Sequence, residues 1–428
     1  MTRTDRWGLP SGAQTDDAGS RFDDAVLDLC LMTGQPSAIL TELVADGPDW
    51  PLPHIASAYL DLYAQTVEGN GSARARLQMA EDAGTGPTAR EQAHLSAARQ
   101  WWAGDLPRAL ATLRHWLDDH PRDLLALRIA QDLAFFTGDS DALLEVPADA
   151  LEAWADSESE RGIVAGMAAF GLEELGRYGD AEDAASEALV ANPTDPWATH
   201  ALAHVYEMQG RSVEGVAFLE ESAPRWSQSF FASHNWWHLA LFCIELDDLD
   251  GAAELLLGPV DATPSTIWFE VVNQVSLRWR LGLIGTDVAL PSDLVDVLVA
   301  RADEHLSVFN DLHAVAGLGL AGEPDALEQV LAGYGPDSTR PTAGPLLRGF
   351  ADFAAGRFAE AARHLGEARA MTPTIGGSAA QRDLVDQTLL VATVRSGGSA
   401  SRVAELVSTH PARWSTRTTE RLLTGGEG

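Results

Sequence analysis

Two pairs of histidines in the middle of the chain have a spacing that suits metal binding or proton transfer. His200 and His204 form the first pair, and His234 and His238 form the second pair. Residues four positions apart lie on one face of an α-helix, so each pair presents two imidazoles on the same side. A neutral imidazole is a ligand for divalent transition metals, and imidazole also exchanges protons near neutral pH. The sequence therefore indicates a site built around these four histidines.

The histidine pairs lie in segments that are typical of helices. The segment 196–210 has Pro196 near its first turn, where the missing N–H costs nothing. Glu207 shares the face of the first histidine pair. The segment 231–246 is predicted to be the corresponding helix of the next helix pair. Because such helices pack side by side in stacked repeats, we expect the two histidine pairs to face each other.

Glycines that end apolar helical runs recur with a period close to that of tetratricopeptide repeats, which is about 34 residues. Their separations are 34, 38 and 34 residues, at Gly104, Gly138, Gly176 and Gly210. The alternation of β-branched residues that is typical of strands is nearly absent. The sequence predicts an all-α fold, a tetratricopeptide-repeat-like α-solenoid of stacked antiparallel helix pairs. We expect a single helical-repeat superhelix over residues 1–428, with an irregular N-terminal segment over residues 1–20.

The charge balance and the cysteines limit the classes of partner and the cellular compartments that we expect for this protein. The chain has 29 basic and 63 acidic residues, a formal net charge of -34. Nucleic acids and anionic membranes attract proteins through Lys and Arg, so we expect neither as a partner. Cys30 and Cys243 lack paired spacing, and no signal segment or long apolar run occurs, which predicts a cytoplasmic protein. The open ends of a repeat array need capping, for which a homodimer is one solution.

Longer motifs give the chain a resemblance to a known family. They are GLP at 8–10, HPRDLLAL at 120–127, NPTDPWATHALAHVYEM at 192–208, HNWWHLAL at 234–241 and FNDLH at 309–313. With these motifs the chain resembles the tetratricopeptide repeat protein 38 family over roughly residues 7–372. The resemblance implies a helical-repeat fold and no settled reaction. The family pattern is carried over onto His200, His204, Glu207, His234, Asn235, Trp237, His238, Asp311 and His313.

Two matches nearer the N-terminus are less distinctive. One is the segment REQAH, which ends at His94, and the other is Asp132 in IAQDLAFF. The family tends to have a histidine before this aspartate, where the chain has Gln131. This departure weakens the case for a functional role at Asp132.

The first interpretation of the cluster is a metal centre. His200, His204, His234 and His238 would bind a divalent transition metal such as zinc or iron, and a neighbouring carboxylate would complete the coordination sphere. Two helices that each contribute a His-x-x-x-His pair can supply this geometry. Against it, the spacing is neither the His-Glu-x-x-His of metalloproteases nor the Glu-x-x-His of di-iron bundles.

The second interpretation is metal-free chemistry or binding. A pair formed by Asp311 and His313, or by Glu207 and His204, would act as general acid and base, because a carboxylate raises the basicity of an imidazole. Tryptophans would form an apolar wall for a small apolar or aromatic molecule. The residues expected to contact this molecule are Asn235, Trp197, Trp237 and Trp268.

The third interpretation gives the histidines no chemistry. Buried imidazoles commonly donate and accept hydrogen bonds between packed helices, and tryptophans at helical spacing are usually core residues. The chain would then be a scaffold that binds a peptide or protein partner without catalysis. The pocket is favoured over the scaffold because the candidate groove positions carry histidine, tryptophan and acidic residues instead of basic or amide ones.

Overall fold

The computed structural model describes residues 3–83, 87–262, 266–335, 340, 343–409 and 413–425. These residues divide into two compact units. The first unit runs to Leu202 and includes Pro224–Ala232. The second unit comprises Ala203–Ala223 and the chain from Ser233 onward.

The first unit begins with a short antiparallel pairing of β1 (Arg3–Thr4) and β2 (Pro10–Ser11). Its helices are α1 (Asp16–Cys30), α2 (Pro36–Asp46), α3 (Pro51–Tyr63), α4 (Val67–Asp82), α5 (Ala89–Trp102), α6 (Leu106–Asp119), α7 (Leu124–Thr137), α8 (Ser140–Ala150), α9 (Glu158–Glu174) and α10 (Tyr178–Ala191). A short 3-10 helix, Leu151–Trp154, follows α8. The predicted irregular segment 1–20 thus contains the strand pairing and the start of α1, and its first two residues lie outside the described part of the chain.

Two helices, α11 (Pro196–Met208) and α12 (Ser212–Trp226), contribute three or more residues to both units, and the next helix begins with Ala232 of the first unit. The remaining helices are α13 (Ala232–Glu245), α14 (Leu249–Leu255), α15 (Trp268–Leu283), α16 (Ser292–Ala300), α17 (Val308–Ala321), α18 (Pro324–Ala332), α19 (Ala343–Ala354), α20 (Phe358–Ala368), α21 (Ala379–Arg395), α22 (Ala400–Ser408) and α23 (Thr416–Thr424). A π-helical turn at Leu256–Val260 extends α14, and a 3-10 helix at Arg369–Ile375 extends α20.

The repeat glycines end helices as the sequence predicts. Gly104, Gly138, Gly176 and Gly210 have φ values of 81°, 69°, 73° and 69°. Positive φ is the left-handed conformation that glycine adopts without steric cost, and it stops a helix and turns the chain into the next one.

Small residues let the helices of a pair approach each other closely. Ala165 on α9, Ala188 on α10 and Ala198 on α11 are buried together in one apolar cluster. Consecutive helices pack along each unit, and alternate helices such as α3 and α5, or α17 and α19, also pack together. This arrangement is that of tetratricopeptide-like helix pairs. The predicted all-α, tetratricopeptide-like fold is confirmed.

Candidate metal centre

Three histidines of the second unit come together in its interior. His204 lies on α11, and His234 and His238 lie one turn apart on α13. The ring centroids of His204 and His238 are 4.5 Å apart, and those of His234 and His238 are 4.8 Å apart. One ring nitrogen from each of the three lies within 4.8 Å of the other two. All three side chains are buried. We call this group the histidine cluster.

Hydrogen bonds on the far side of two rings fix their orientation. The Nδ1 of His238 donates to Glu207 Oε2 at 2.9 Å, and the Nδ1 of His234 donates to Asn273 Oδ1 at 2.8 Å. Both acceptors are oxygens, so each Nδ1 carries the proton and each Nε2 keeps its lone pair. Metal-binding histidines almost always have such a partner on the second nitrogen. Glu207 and Asn273 therefore act as orienting residues for the cluster.

Burial keeps the imidazoles of His234 and His238 neutral. Desolvation holds the pKa of His234 and of His238 well below the usual histidine value. The neighbouring histidines lower both pKa values further, and the Arg280 guanidinium adds to this effect at His238. A neutral imidazole binds a cation, whereas a protonated one does not. His234 and His238 are therefore in their ligand form at neutral pH.

Aromatic packing holds the ring of His234. The indole of Trp237 stacks on it with centroids 5.1 Å apart and an interplanar angle of 8°. The Nε1 of Trp237 donates to Ser276 Oγ at 2.9 Å, which ties the indole to α15. Asn235 and Trp268 are also buried in this unit, and Arg301 lies over the Trp268 ring at 5.5 Å. Trp237 and Trp268 thus make core contacts, and their role in ligand binding stays a prediction.

His200 lies one turn before His204 on α11 and belongs to the first unit. Its ring contacts three aromatic rings of that unit, with centroid distances of 5.0 Å to Trp197 and 5.1 Å to both Phe170 and Phe231. Arg128 lies over the Trp197 ring at 4.4 Å. The role of His200 as a metal ligand stays a prediction.

The described hydrogen bonds of Asp311 and His313 go to other residues. On α17, Asp311 accepts a hydrogen bond from the Tyr334 hydroxyl at 2.6 Å, and His313 Nδ1 donates to the Phe309 carbonyl at 2.8 Å. Residues two apart on a helix point in different directions, so the two side chains cannot pair. Glu207 accepts a hydrogen bond from His238 Nδ1 on α13, and its acid–base role with His204 stays a prediction. Burial lowers the pKa of His313 to about 4, which keeps it neutral.

A small polar cavity of about 20 Å³ adjoins Glu207. Its lining is unusual in carrying five ionisable side chains together with Gln387, Thr418 and three apolar residues. The ionisable residues are Glu207, Glu245, Arg280, Asp383 and Arg413. Sequence reasoning singled out only Glu207 among them. The available signal for Arg280 was its position inside the apolar run VSLRWRLGL, where a charged residue needs a partner.

Glu245 at this cavity gives a testable pH dependence. Burial raises the pKa of Glu245 from 4.5 to about 7. Hydrogen bonds from the C-terminal segment, residues 413–425, lower this pKa in part, and one of them is the bond from the Ser415 N–H at 2.6 Å. The folded state therefore keeps a proton that the unfolded state releases, and stability falls as the pH rises through this window. Glu245→Gln removes the ionisation, so it should stabilise the protein by about 3 kcal/mol more at pH 8 than at pH 4.5. Urea unfolding at both pH values measures this difference.

Glu420→Gln is the matched control for this measurement, because Glu420 lies on α23 of the same segment and is exposed. We expect this control to shift stability equally at both pH values. If the difference in unfolding free energy between Glu245→Gln and the wild type does not increase with pH, the raised pKa of Glu245 is contradicted.

The two less distinctive candidates belong to structural networks of the first unit. His94 Nε2 lies 3.1 Å from Asp123 Oδ2, which also accepts from Arg90 Nε at 2.8 Å. Asp132 pairs with Arg128 and accepts from the Tyr63 hydroxyl. His94 and Asp132 therefore have partners within the first unit, and we assign both to structural networks of that unit.

The fold and the cluster together define a tetratricopeptide-like helical-repeat protein with a buried histidine centre. No known family model matches the chain. The chain is similar to the human IFIT1 dimer with PPP-AAAA at 14% identity, covering 99% of this chain and 97% of that one, with a TM-score of 0.42. It is also similar to the APC/C hetero-tetramer Cut9-Hcn1 at 13% identity, covering 89% of this chain and 78% of that one, with a TM-score of 0.38. Both likenesses are too distant to assign a ligand or partner.

Among the helices in the described ranges, none combines the length and the apolar composition that crossing a bilayer requires.

Proposed function

We propose that this protein binds a divalent transition metal through His204, His234 and His238. The observation that supports the proposal most strongly is the pair of hydrogen bonds from the two Nδ1 atoms of α13 to Glu207 and Asn273. They leave the Nε2 lone pairs of His234 and His238 as the metal donors, within a group of three rings whose ligand nitrogens lie within 4.8 Å of one another. Zinc fits this donor set well, since three histidines with one open position are typical of catalytic zinc sites.

The proposed chemistry is metal-assisted transformation of a small molecule. A metal held by three neutral ligands keeps its full charge, which polarises a bound carbonyl or activates water. Glu207 would orient His238 and also face the polar cavity, so it links the metal to the space from which a substrate approaches. Because that cavity is lined by charged side chains, we propose a polar molecule in place of the apolar or aromatic one expected from the tryptophans.

The second candidate function is a scaffold that binds a peptide or protein and carries no catalysis. One observation favours it: the cavity beside Glu207 is only about 20 Å³, which is room for about one water molecule. In this case the metal would stabilise the helices, as structural metal sites do. Membership of the tetratricopeptide repeat protein 38 family, a cytoplasmic location, a homodimer and the absence of nucleic-acid binding remain proposals beside either function.

Metal content tests the proposal directly. Untagged protein purified without chelators should contain close to one metal ion per chain by mass spectrometry. The double variant His204→Ala, His238→Ala should contain none, because it leaves a single ligand of the cluster. His313→Ala is the matched control, since His313 is also buried in this unit but bonds to Phe309. Wild-type protein that stays metal-free after incubation with zinc and dialysis would overturn the proposal.

His200→Gln separates the two candidate functions. If His200 is a fourth ligand, the metal site is closed and structural, and this variant should lose metal affinity. If three histidines suffice, the variant should keep its metal and the open position needed for chemistry.

A further inference from the structure

The polar cavity combines opposite charges taken from five parts of the second unit. Glu207 comes from α11, Glu245 from α13, Arg280 from α15 and Asp383 from α21. The fifth charge is Arg413, which precedes α23 in the C-terminal segment. Four of the five are therefore fixed on long helices of the unit, and one is supplied by a segment outside them.

Arg413 occupies this site through its guanidinium group. It pairs with Asp383 Oδ1, and its Nη1 donates to the Ala379 carbonyl at 3.1 Å and contacts Met208 Sδ at 3.4 Å. Burial raises the pKa of Glu207, and the positive charges of Arg413 and Arg280 partly oppose this rise. The side chain of Arg413 is 12% exposed, so it extends from the surface into the cavity.

Without Arg413 the charges of the cavity would be unbalanced. The carboxyl groups of Glu207 and Asp383 would then share the single guanidinium of Arg280, whereas Glu245, whose pKa burial raises to about 7, can hold a proton. A buried carboxylate without a cation is costly, so the site would favour a cationic ligand.

Arg280 adds a second requirement for a ligand. Its Nη1 is 3.4 Å from Asp383 Oδ2 and its Nη2 donates to the Ala380 carbonyl at 2.6 Å. Its buried Nε has no hydrogen-bond partner in the described part of the chain. Arg280 lines the cavity, and this buried N–H is a donor that an oxygen acceptor would satisfy.

We propose that this cavity is a binding site for a guanidinium-bearing molecule that also carries an oxygen acceptor, such as arginine, and that Arg413 is its built-in occupant. The cavity itself holds only about one water molecule, so the ligand needs the space that the Arg413 side chain vacates. The ligand guanidinium then takes the place of Arg413 against Asp383, and the ligand carboxylate accepts from Arg280 Nε. The C-terminal segment thereby competes with the ligand from within the chain. An intramolecular competitor acts at a high effective concentration, so the wild-type protein binds the free ligand weakly.

Calorimetric titration of the full chain with L-arginine tests this site. Arg413→Ala should bind L-arginine at least about tenfold more tightly than wild-type protein, because the internal competitor is gone. Arg417→Ala is the matched control, since Arg417 is an exposed arginine of the same segment that pairs with Asp247. We expect this control to behave like the wild type.

Two further probes define the ligand chemistry. Citrulline has nearly the shape of arginine without the charge, and it should not bind Arg413→Ala. Agmatine keeps the guanidinium but lacks the carboxylate, and it should bind more weakly than L-arginine. If Arg413→Ala is unfolded alone, L-arginine and not citrulline must restore its thermal transition.

Equal binding of L-arginine by Arg413→Ala and wild-type protein would overturn the proposal, as would equal binding of citrulline and L-arginine. The site goes beyond the metal centre and does not depend on it. Metal content measured on the same samples shows which of the two proposals fails if one does.

Discussion

Truncating Glu207 to alanine is expected to weaken metal binding at the histidine cluster by about 10- to 100-fold without loss of helix content. The carboxylate accepts the Nδ1 proton of His238 at 2.9 Å, which fixes the ring and leaves Nε2 as its metal donor. Without this acceptor the ring can rotate or exchange its proton between the two nitrogens, and the ligand geometry is lost in part of the population. Competition with a chromophoric chelator measures the metal affinity, and far-ultraviolet circular dichroism measures the helix content.

Asn273→Leu should act in the same direction through His234, because leucine has a similar size and no acceptor. Glu207→Gln keeps an acceptor oxygen but loses the charge, so its affinity should lie between that of the wild type and that of Glu207→Ala. Gln274→Met is the matched control, since Gln274 follows Asn273 on α15 but bonds to the Val260 carbonyl. An affinity unchanged in both Glu207→Ala and Asn273→Leu would refute the orienting role of these hydrogen bonds.

The fold was predictable because its signals are local. Gly104, Gly138, Gly176 and Gly210 end helices in the left-handed conformation, and a residue that stops a helix does so through its own backbone. The grouping of His204 with His234 and His238 followed from the same reasoning, because helix period and repeat stacking together place those rings on facing helices.

Side-chain partners were less predictable because they depend on contacts between distant segments. Asn273 is 39 residues from His234, and the charge that fills the polar cavity comes from Arg413, more than 200 residues from Met208, which it contacts. Neither spacing is periodic, so no pattern in the sequence joins these residues. The predicted pairing of Asp311 with His313 rested on their closeness in sequence. Side chains two positions apart on a helix point in different directions, and the two residues have other hydrogen-bond partners.

Side-chain partners in the first unit were also not predictable from spacing. The REQAH motif indicates His94 as the candidate residue, whereas Arg90 makes most of the hydrogen bonds of this buried network. Its guanidinium is fully buried and bonds to three carboxylate oxygens. Nη1 donates to Asp5 Oδ2 at 2.8 Å, Nε donates to Asp123 Oδ2 at 2.8 Å and Nη2 donates to Asp123 Oδ1 at 2.9 Å. Asp5 in turn accepts the backbone N–H groups of Trp7 and Leu9. Arg90 thus ties the N-terminal strand pairing to α5 and to the start of α7.

Replacing Arg90 with methionine is therefore expected to cost about 3 to 5 kcal/mol of unfolding free energy, measured by urea denaturation. The variant leaves two carboxylates buried without their cation, and this desolvation is the source of the cost. Arg21→Met is the matched control, because Arg21 pairs with Glu42 and Asp46 at the surface and should cost less than about 1 kcal/mol.

The pH dependence separates this electrostatic cost from lost packing. Burial would raise the pKa of Asp123, but the charges of Arg90 and His94 outweigh it and hold that pKa well below the usual aspartate value. In the wild type, the Asp123 carboxylate therefore contributes to the unfolding free energy above the unfolded pKa of 3.8. This stabilisation is lost only as the pH falls through the lower folded pKa. In Arg90→Met the pKa of Asp123 should rise, because burial then acts against a weakened opposing charge. Protonation relieves the variant first, so its deficit relative to the wild type should shrink between pH 8 and pH 4. A deficit that stays constant over this range would instead assign the loss to the packing of the Arg90 side chain.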